Sequence, residues 1–220
     1  MSAALRILGF NLLADAGGGF ELRGGDLDWL RLVLVALGFR AHIEGQVLVV
    51  PIADADRLER AVQAAMAPDA ILLDLDGVLA DIGSRRSIAK VEDLESLAAH
   101  YPIAVVTTCP RSLAESVLDQ HGFLPFVSAI VGSEERPCKP DPHPVHVALQ
   151  QLEMRTAWML GDNPTDVFAA RGAGVVPFAI LPRGAAADAH MDRLRSAGAV
   201  RLLDGVSCLL PLLRSWDTES

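Results

Sequence analysis

Two aspartates one residue apart, Asp74 and Asp76, directly follow an apolar run at positions 71–73. The run is typical of a buried strand, and Gly77 ends it. Because side chains two positions apart on a strand share a face, both carboxylates are predicted at the carboxyl end of this strand, the edge where open α/β sheets bind ligands. Carboxylates held this close need a cation or a proton between them, and Mg²⁺ prefers oxygen ligands. The spacing therefore predicts a metal-assisted site with a carboxylate free to act as nucleophile or acid.

Further polar residues stand where other predicted strands end or where a loop is held rigid. They are Thr107, Thr108, Lys139, Asp162 and Asp166. The two threonines end an apolar run, and prolines on either side of Lys139 hold its loop extended. The two aspartates stand four apart across a strand-to-helix turn. A parallel sheet can bring all of these positions together at its carboxyl edge.

These residue types suit phosphoryl transfer, which needs an in-line nucleophile and neutralised charge on the phosphate oxygens. Asp74 can attack phosphorus and become an aspartyl phosphate. Asp76 can protonate the leaving oxygen and then activate water. Thr107 can donate a hydrogen bond to a phosphate oxygen, and Lys139 supplies a fixed positive charge.

The remaining candidates concern the metal and the substrate. Asp162 can bind Mg²⁺ directly, and Asp166 can bind it or orient its waters. Thr108 is a candidate for substrate binding, although a threonine at this position can also cap the next helix.

Predicted strands and helices alternate from residue 70 onward. The strands are predicted at 71–75, 103–106, 129–131, 157–160, 175–180 and 200–203. The helices are predicted at 91–100, 111–121, 144–152, 165–173, 186–196 and 206–213. This alternation predicts an α/β fold with a parallel, Rossmann-like sheet, helices on both faces and right-handed crossovers.

Residues 1–68 are predicted to form a small α/β N-terminal domain without catalytic residues, followed by a second domain at 69–220. Its elements are predicted as a strand at 7–13, a helix ending near Leu37, two short strands hinged at Gly45, and a helix at 54–66.

The polar motifs appear in an order that resembles the haloacid dehalogenase-like (HAD-like) phosphohydrolase superfamily. They are D-L-D-G at 74–77, Thr107, Lys139 and G-D-N-P-T-D at 161–166. The resemblance covers the chain from about residue 70 to its end. It implies that Asp74 is the nucleophile and Asp76 the acid and base. It also implies that Mg²⁺ binds the Asp74 carboxylate, the Asp76 main-chain carbonyl and an acid of the last motif. An acid at position 76 implies the phosphatase branch of the superfamily.

Proteins of this kind usually carry a cap domain that selects the substrate. The segments between the first motif and Thr107, and between Thr107 and Lys139, are too short for one, so a capless core is predicted. Residues 1–68 are then candidates for a cover over the site or for an oligomer interface. Arg85 and Arg86 are predicted to flank the entrance, where they either bind an anionic substrate or are ordinary exposed arginines.

The N-terminal part shows a second, weaker resemblance. The segments A-L-G-F-R at 36–40, V-P-I at 50–52 and D-R-L-E-R at 56–60 resemble the C-terminal end of fold-type I pyridoxal-phosphate aminotransferases, especially of the histidinol-phosphate kind. This part is too short for a transaminase and lacks a cofactor-binding lysine motif. By association it makes histidinol phosphate a candidate substrate, although the chain lacks the cysteine/histidine zinc loop of comparable phosphatases.

Composition and charge exclude several classes of partner and location. The net charge is −9 without a basic cluster, so no nucleic-acid partner is expected. The apolar runs are too short to span a membrane, and the first residues lack the features of a secretory signal. Three cysteines without a CxxC spacing argue against disulfides and zinc. We expect a cytoplasmic protein that acts on a phosphorylated small molecule, with the N-terminal domain as the candidate surface for homo-oligomerisation.

The leading hypothesis is a Mg²⁺-dependent phosphatase that hydrolyses a phosphate monoester through an aspartyl phosphate. The alternative is a non-catalytic protein, a regulatory module that binds phosphate and Mg²⁺ without turnover. Such a module would not need Asp76, so the presence of this residue favours the enzyme. A phosphotransferase shares the first half-reaction, so the sequence leaves it open.

Overall fold

The computed structural model describes residues 11–14, 19–24, 26–51, 54–181 and 187–217 of the 220-residue chain. The statements below concern these residues. The strand predicted at 7–13 lies mostly outside them.

The N-terminal part is a four-stranded antiparallel sheet with two helices. Its strands are β1 (Asn11–Ala14), β2 (Phe20–Arg23), β3 (His42–Glu44) and β4 (Val47–Val50), in the order β1-β2-β4-β3. Its helices are α1 (Leu27–Ala36) and α2 (Ala55–Met66). Asp26 and Asp54 cap them, since each side chain accepts a backbone N–H from the first turn at 2.9 Å. The two strands predicted around Gly45 and both helices are confirmed.

A six-stranded parallel sheet forms the second part. Its strands are β5 (Ala70–Leu73), β8 (Ile103–Val106), β9 (Ala129–Val131), β10 (Ala157–Gly161), β11 (Val176–Ile180) and β12 (Arg201–Leu203). A two-stranded hairpin, β6 (Ala80–Asp81) and β7 (Arg86–Ser87), stands between β5 and β8. The order in the large sheet is β12-β11-β10-β5-β8-β9. The chain moves outward from β5 to β9 and then returns to β10 on the other side of β5. The carboxyl ends of β5 and β10 therefore form a topological switch point, where sheets of this type bind ligands.

Helices follow most of these strands and cover both faces of the sheet. They are α3 (Val91–Ala98), α4 (Arg111–Gln120), α5 (His143–Leu152), α6 (Pro164–Gly172), α7 (Ala187–Ala197) and α8 (Leu209–Asp217), with 3₁₀ turns at Leu124–Phe126 and Val206–Cys208. Alternate strand residues point to opposite faces: Ile71 and Leu73 belong to one buried cluster, Ala70 and Leu72 to another. The predicted α/β fold with a parallel sheet is confirmed.

The two parts share one hydrophobic core. Trp158 of β10 is fully buried and packs against Trp29 of α1 and Phe178 of β11, at ring-centroid distances of 6.2 and 4.7 Å. Its indole N–H donates to the Ala64 carbonyl at 2.7 Å, and the Trp29 indole donates to that of Ala65 at 3.1 Å. Helices α1 and α2 thus cover part of one face of the large sheet. That residues 1–68 form a separate domain, a cover or an oligomer interface stays a prediction.

Among the described residues, no helix has both the length and the apolar character that a bilayer crossing requires.

Candidate active site

Asp74 and Asp76 leave β5 in different environments. The strand ends at Leu73, before either aspartate. Asp74 is buried, and its backbone N–H donates to the Leu160 carbonyl of β10 at 2.9 Å. Asp76 is exposed, and its Oδ1 accepts the Ile82 N–H at 2.9 Å. Strand β5 therefore ends before both aspartates, and the shared face predicted from strand alternation stays a prediction.

Gly77 turns the chain in the loop that follows β5. Its φ of +82° lies in the left-handed region that favours glycine. A Cβ at this position would overlap the Asp162 carboxylate. The absence of a side chain thus lets the loop after β5 lie directly against the end of β10.

Lys139 is the positive charge of the site. Its side chain is only 2% exposed, and Nζ lies 2.9 Å from Asp74 Oδ1 and 2.5 Å from Asp166 Oδ1. It also donates to the Val106 carbonyl at the end of β8, at 2.8 Å. Burial lowers the pKa of Lys139, but the charges of Asp74 and Asp166 outweigh burial, so its net pKa is raised. The lysine is therefore a permanent cation between two carboxylates.

Asp166 organises the turn that carries Asp162. Its Oδ2 accepts the backbone N–H groups of Asp162 and Asn163, at 3.2 and 3.0 Å. Asn163 caps α6, and together with Asp166 it forms a capping box. Asp166 thus holds Lys139 with one oxygen and the turn with the other, a positioning role that the sequence analysis did not assign.

Three of the predicted acids form one cluster. Asp74, Asp162 and Asp166 each place one carboxylate oxygen within 4.8 Å of the other two. Burial, followed by the charge of Asp166, raises the pKa of Asp74 to about 7 against the opposing effect of Lys139. Burial, followed by the charges of Asp166 and Asp76, raises the pKa of Asp162 to about 6. A hard cation bound to these oxygens would remove the repulsion, so the donor set fits Mg²⁺.

Thr107 lies beside the cluster, at the end of β8. It is buried, its N–H donates to the Val131 carbonyl at 2.9 Å, and its Oγ1 accepts the Cys109 N–H at 3.2 Å. Thr108 is exposed and does not cap the next helix, because Pro110 occupies the N-cap of α4. The capping alternative for Thr108 is therefore wrong, and its role in substrate binding stays a prediction.

Arg85 and Arg86 are exposed on the β6–β7 hairpin. Arg85 has a φ of +57° in the turn, and the charge of Arg86 acts on Asp81. The structure does not bring them into the carboxylate cluster, and their contact with substrate stays a prediction. Residues 77–138 contain this hairpin, α3, β8, α4, a 3₁₀ turn and β9, so no separate cap domain is inserted there.

His190 of α7 is a site residue that the sequence analysis missed. Its Nε2 lies 2.7 Å from the Asp162 carbonyl oxygen, and its Nδ1 lies 2.9 Å from an Arg193 guanidinium nitrogen. No motif marks this histidine, because it reaches Asp162 only when α7 folds back over the end of β10.

Comparison with known proteins supports the resemblance. Residues 85–180 match the family model described as haloacid dehalogenase-like hydrolase. A phosphoglycolate phosphatase from Vibrio cholerae is 36% identical over 90 residues, which is 40% of each chain. An imidazoleglycerol-phosphate dehydratase from Phytophthora nicotianae is 32% identical over 129 residues, 54% of this chain and 28% of that protein.

Solved structures show the same fold. A haloacid dehalogenase-like family hydrolase from Streptococcus pneumoniae superposes with a TM-score of 0.54 at 19% identity, covering 66% of this chain and 98% of that one. The family match over residues 85–180 and the relatives named phosphatases support a haloacid dehalogenase-like phosphohydrolase. The chain spans less than half the length of the curated relatives it matches. Asp74 and Asp76 precede the residues matched by the family model, so their roles rest on the geometry above.

Proposed function

We propose that this protein is a Mg²⁺-dependent phosphatase that hydrolyses a phosphate monoester through an aspartyl phosphate on Asp74. The observation that carries the proposal is the buried Lys139 held between Asp74 and Asp166 at the switch point of the sheet. Such a site offers a fixed cation, a carboxylate nucleophile and an acidic cluster within one small volume. The curated relatives named phosphatases support the same reaction class.

Asp74 is the nucleophile in this mechanism. One of its oxygens forms a bond to phosphorus while the bond between phosphorus and the ester oxygen breaks. Lys139 stays charged throughout, so it stabilises the negative charge on the phosphoryl oxygens and orients Asp74. The Thr107 hydroxyl, buried at the neighbouring strand end, donates a hydrogen bond to one of those oxygens.

Asp76 moves the protons. Its Oδ1 is held by the Ile82 N–H, which leaves Oδ2 free to exchange a proton with the substrate. In the first step it gives a proton to the departing alcohol oxygen. In the second step it takes a proton from the water that attacks the aspartyl phosphate, and phosphate leaves as Asp74 is restored.

Asp74, Asp162 and Asp166 would hold the Mg²⁺, with the Asp76 main-chain carbonyl as the further ligand implied by the resemblance. When bound, Mg²⁺ neutralises charge on the carboxylates and on the phosphate oxygens. Both oxygens of Asp166 already contact Lys139 or the turn that carries Asp162. We therefore assign Asp166 to holding these groups in place and to orienting waters bound to the ion.

The substrate is a phosphorylated small molecule in this proposal. The Phytophthora relative carries an imidazole phosphate ester in its name, which agrees with histidinol phosphate as a candidate. A phosphotransferase would share the step at Asp74 and differ only in the acceptor. A binding module without turnover would not need a proton donor at position 76.

Phosphate release from a panel of phosphate monoesters tests the proposal. We expect turnover with Mg²⁺, loss of turnover in EDTA, and loss of turnover in Asp74→Asn. Asp119→Asn, an exposed position at the far end of α4, is the matched control and should retain wild-type rates. Turnover that persists in Asp74→Asn would contradict the nucleophile assignment, and turnover that persists in EDTA would contradict the metal requirement.

A further inference from the structure

A cavity opens beside the carboxylate cluster. It measures about 450 Å³ and lies between the loop after β5, the ends of β11 and β12, and helix α7. Its lining residues are Gly77, Asp81, Ile88, Asp162, Ile180, Leu181, His190 and Asp204. Asp162 belongs both to this cavity and to the carboxylate cluster, so a molecule here would adjoin the phosphoryl site.

The cavity is lined by three carboxylates. Asp81, Asp162 and Asp204 line it, and none of the described lining residues is a lysine or an arginine. The Ser84 backbone N–H donates a hydrogen bond to Asp81 at 2.9 Å. This hydrogen bond is the main reason why the pKa of Asp81 is lowered. Asp81 therefore stays ionised. Asp204 is exposed and has no hydrogen bond or ion pair to another described residue.

Two arginines lie near the cavity, and neither belongs to its described lining. Arg86 acts on Asp81 from the hairpin and lies outside the lining. Arg193 is engaged by His190 Nδ1. Because a guanidinium can only donate, Nδ1 accepts, and the proton on Nε2 is then donated to the Asp162 carbonyl. His190 thus bridges Arg193 and the main chain of Asp162.

Apolar side chains complete the cavity. Ile180 and Leu181 end β11, and Ile88, 44% exposed, faces them from the loop that follows the hairpin. Such a wall suits the carbon skeleton of a small organic group, while the acids suit a positive charge on it.

We propose that this cavity receives the leaving group of the ester and that this group is a cation, the alcohol of an amine or of a protonated heterocycle. The inference rests on the phosphatase function proposed above. A carboxylate-bearing alcohol would meet Asp81 and Asp204, and no lysine or arginine belongs to the described lining, so like charges would face each other unfavourably. This chain therefore differs in substrate from the relatives named phosphoglycolate phosphatases.

Three esters with two-carbon leaving groups isolate the effect of charge. They are phosphoethanolamine, ethyl phosphate and phosphoglycolate, whose leaving groups carry an ammonium, no charge and a carboxylate. We expect kcat/KM to fall in that order. Where turnover of an ester is slow, its inhibition constant against p-nitrophenyl phosphate hydrolysis gives the same ranking.

Asp204→Asn provides the structural test. The change removes one exposed charge, so we expect the preference for phosphoethanolamine over ethyl phosphate to fall about three- to fivefold. Discrimination against phosphoglycolate should weaken by a similar factor. Adding Asp81→Asn, which keeps an oxygen for the Ser84 N–H, should enlarge both effects. Asp119→Asn should change neither ratio.

The outcomes separate the two proposals. Asp74-dependent hydrolysis with an unchanged ratio in Asp204→Asn, or with phosphoglycolate preferred by the wild type, would overturn this inference and leave the phosphatase standing. Absence of Asp74-dependent hydrolysis of any ester, p-nitrophenyl phosphate included, would overturn the phosphatase and this inference with it.

Discussion

Replacement of Asp74 by asparagine should stabilise the metal-free protein at pH 8 while it abolishes turnover. Burial and the neighbouring Asp166 raise the pKa of Asp74 to about 7, although Lys139 opposes them. The ionised carboxylate is therefore unfavourable in the folded protein without metal. Asparagine has nearly the same shape, carries no charge and keeps an oxygen that can accept the Lys139 N–H.

The size of the effect follows from the pKa of Asp74 in the two states. The unfolded chain releases this proton near the ordinary value of 3.8, whereas the folded protein retains it up to about 7. Between these values the folded state binds more protons, so the free energy of unfolding falls as pH rises. Each pH unit across this window corresponds to about 1.4 kcal/mol. The ionised carboxylate thus destabilises the folded protein by about 4 kcal/mol at pH 8 and by almost nothing at pH 4.

Urea unfolding in EDTA at pH 4 and pH 8 measures this difference. We expect Asp74→Asn to raise the free energy of unfolding at pH 8 by up to about 4 kcal/mol, with little change at pH 4. Asp119→Asn should leave the stability nearly unchanged at both pH values. If the stability of Asp74→Asn relative to wild type were the same at both pH values, the charge of Asp74 would not destabilise the folded protein.

Two further substitutions probe the same cluster. Lys139→Met should abolish turnover and destabilise the protein at pH 8 by about 3–5 kcal/mol, because two buried carboxylates lose their cation. The loss should shrink at pH 5, where Asp74 can take up a proton, and an equal loss at both pH values in urea unfolding would count against the ion-pair explanation. Asp76→Asn should still react with substrate but hydrolyse the aspartyl phosphate slowly, so rapid-quench kinetics should show a phosphorylated enzyme accumulating. Wild-type steady-state rates in this variant would exclude Asp76 as the acid and base.

The strands of the large sheet could be predicted because they are short apolar runs separated by turn residues and amphipathic helices. The predicted strand at 103–106 coincides with β8, and the prediction at 129–131 coincides with β9. The packing of α1 against Trp158 could not be predicted in this way. It depends on which face of the large sheet the N-terminal helices reach, and no local pattern encodes that choice.

The candidate site was also predicted only in part. Asp74, Lys139, Asp162 and Asp166 converge as the alternation of strands and helices predicted, because the carboxyl ends of parallel strands share one edge. The different burial of Asp74 and Asp76 was not predicted, because β5 ends at Leu73 and strand alternation does not describe the loop that follows. The spacing of Asn163 and Asp166 did contain the signal of a capping box, which would have indicated the positioning role of Asp166.

The most direct test of the central claim is to locate the phosphoryl group on the enzyme. Asp76→Asn would be mixed with Mg²⁺ and the best ester of the panel, quenched in acid, digested with pepsin and analysed by mass spectrometry. We expect a phosphorylated peptide with the modification on Asp74, absent when Asp74→Asn is added to the variant. A phosphoryl group on any other residue, or ester hydrolysis by the wild type with no covalent intermediate in either protein, would contradict it.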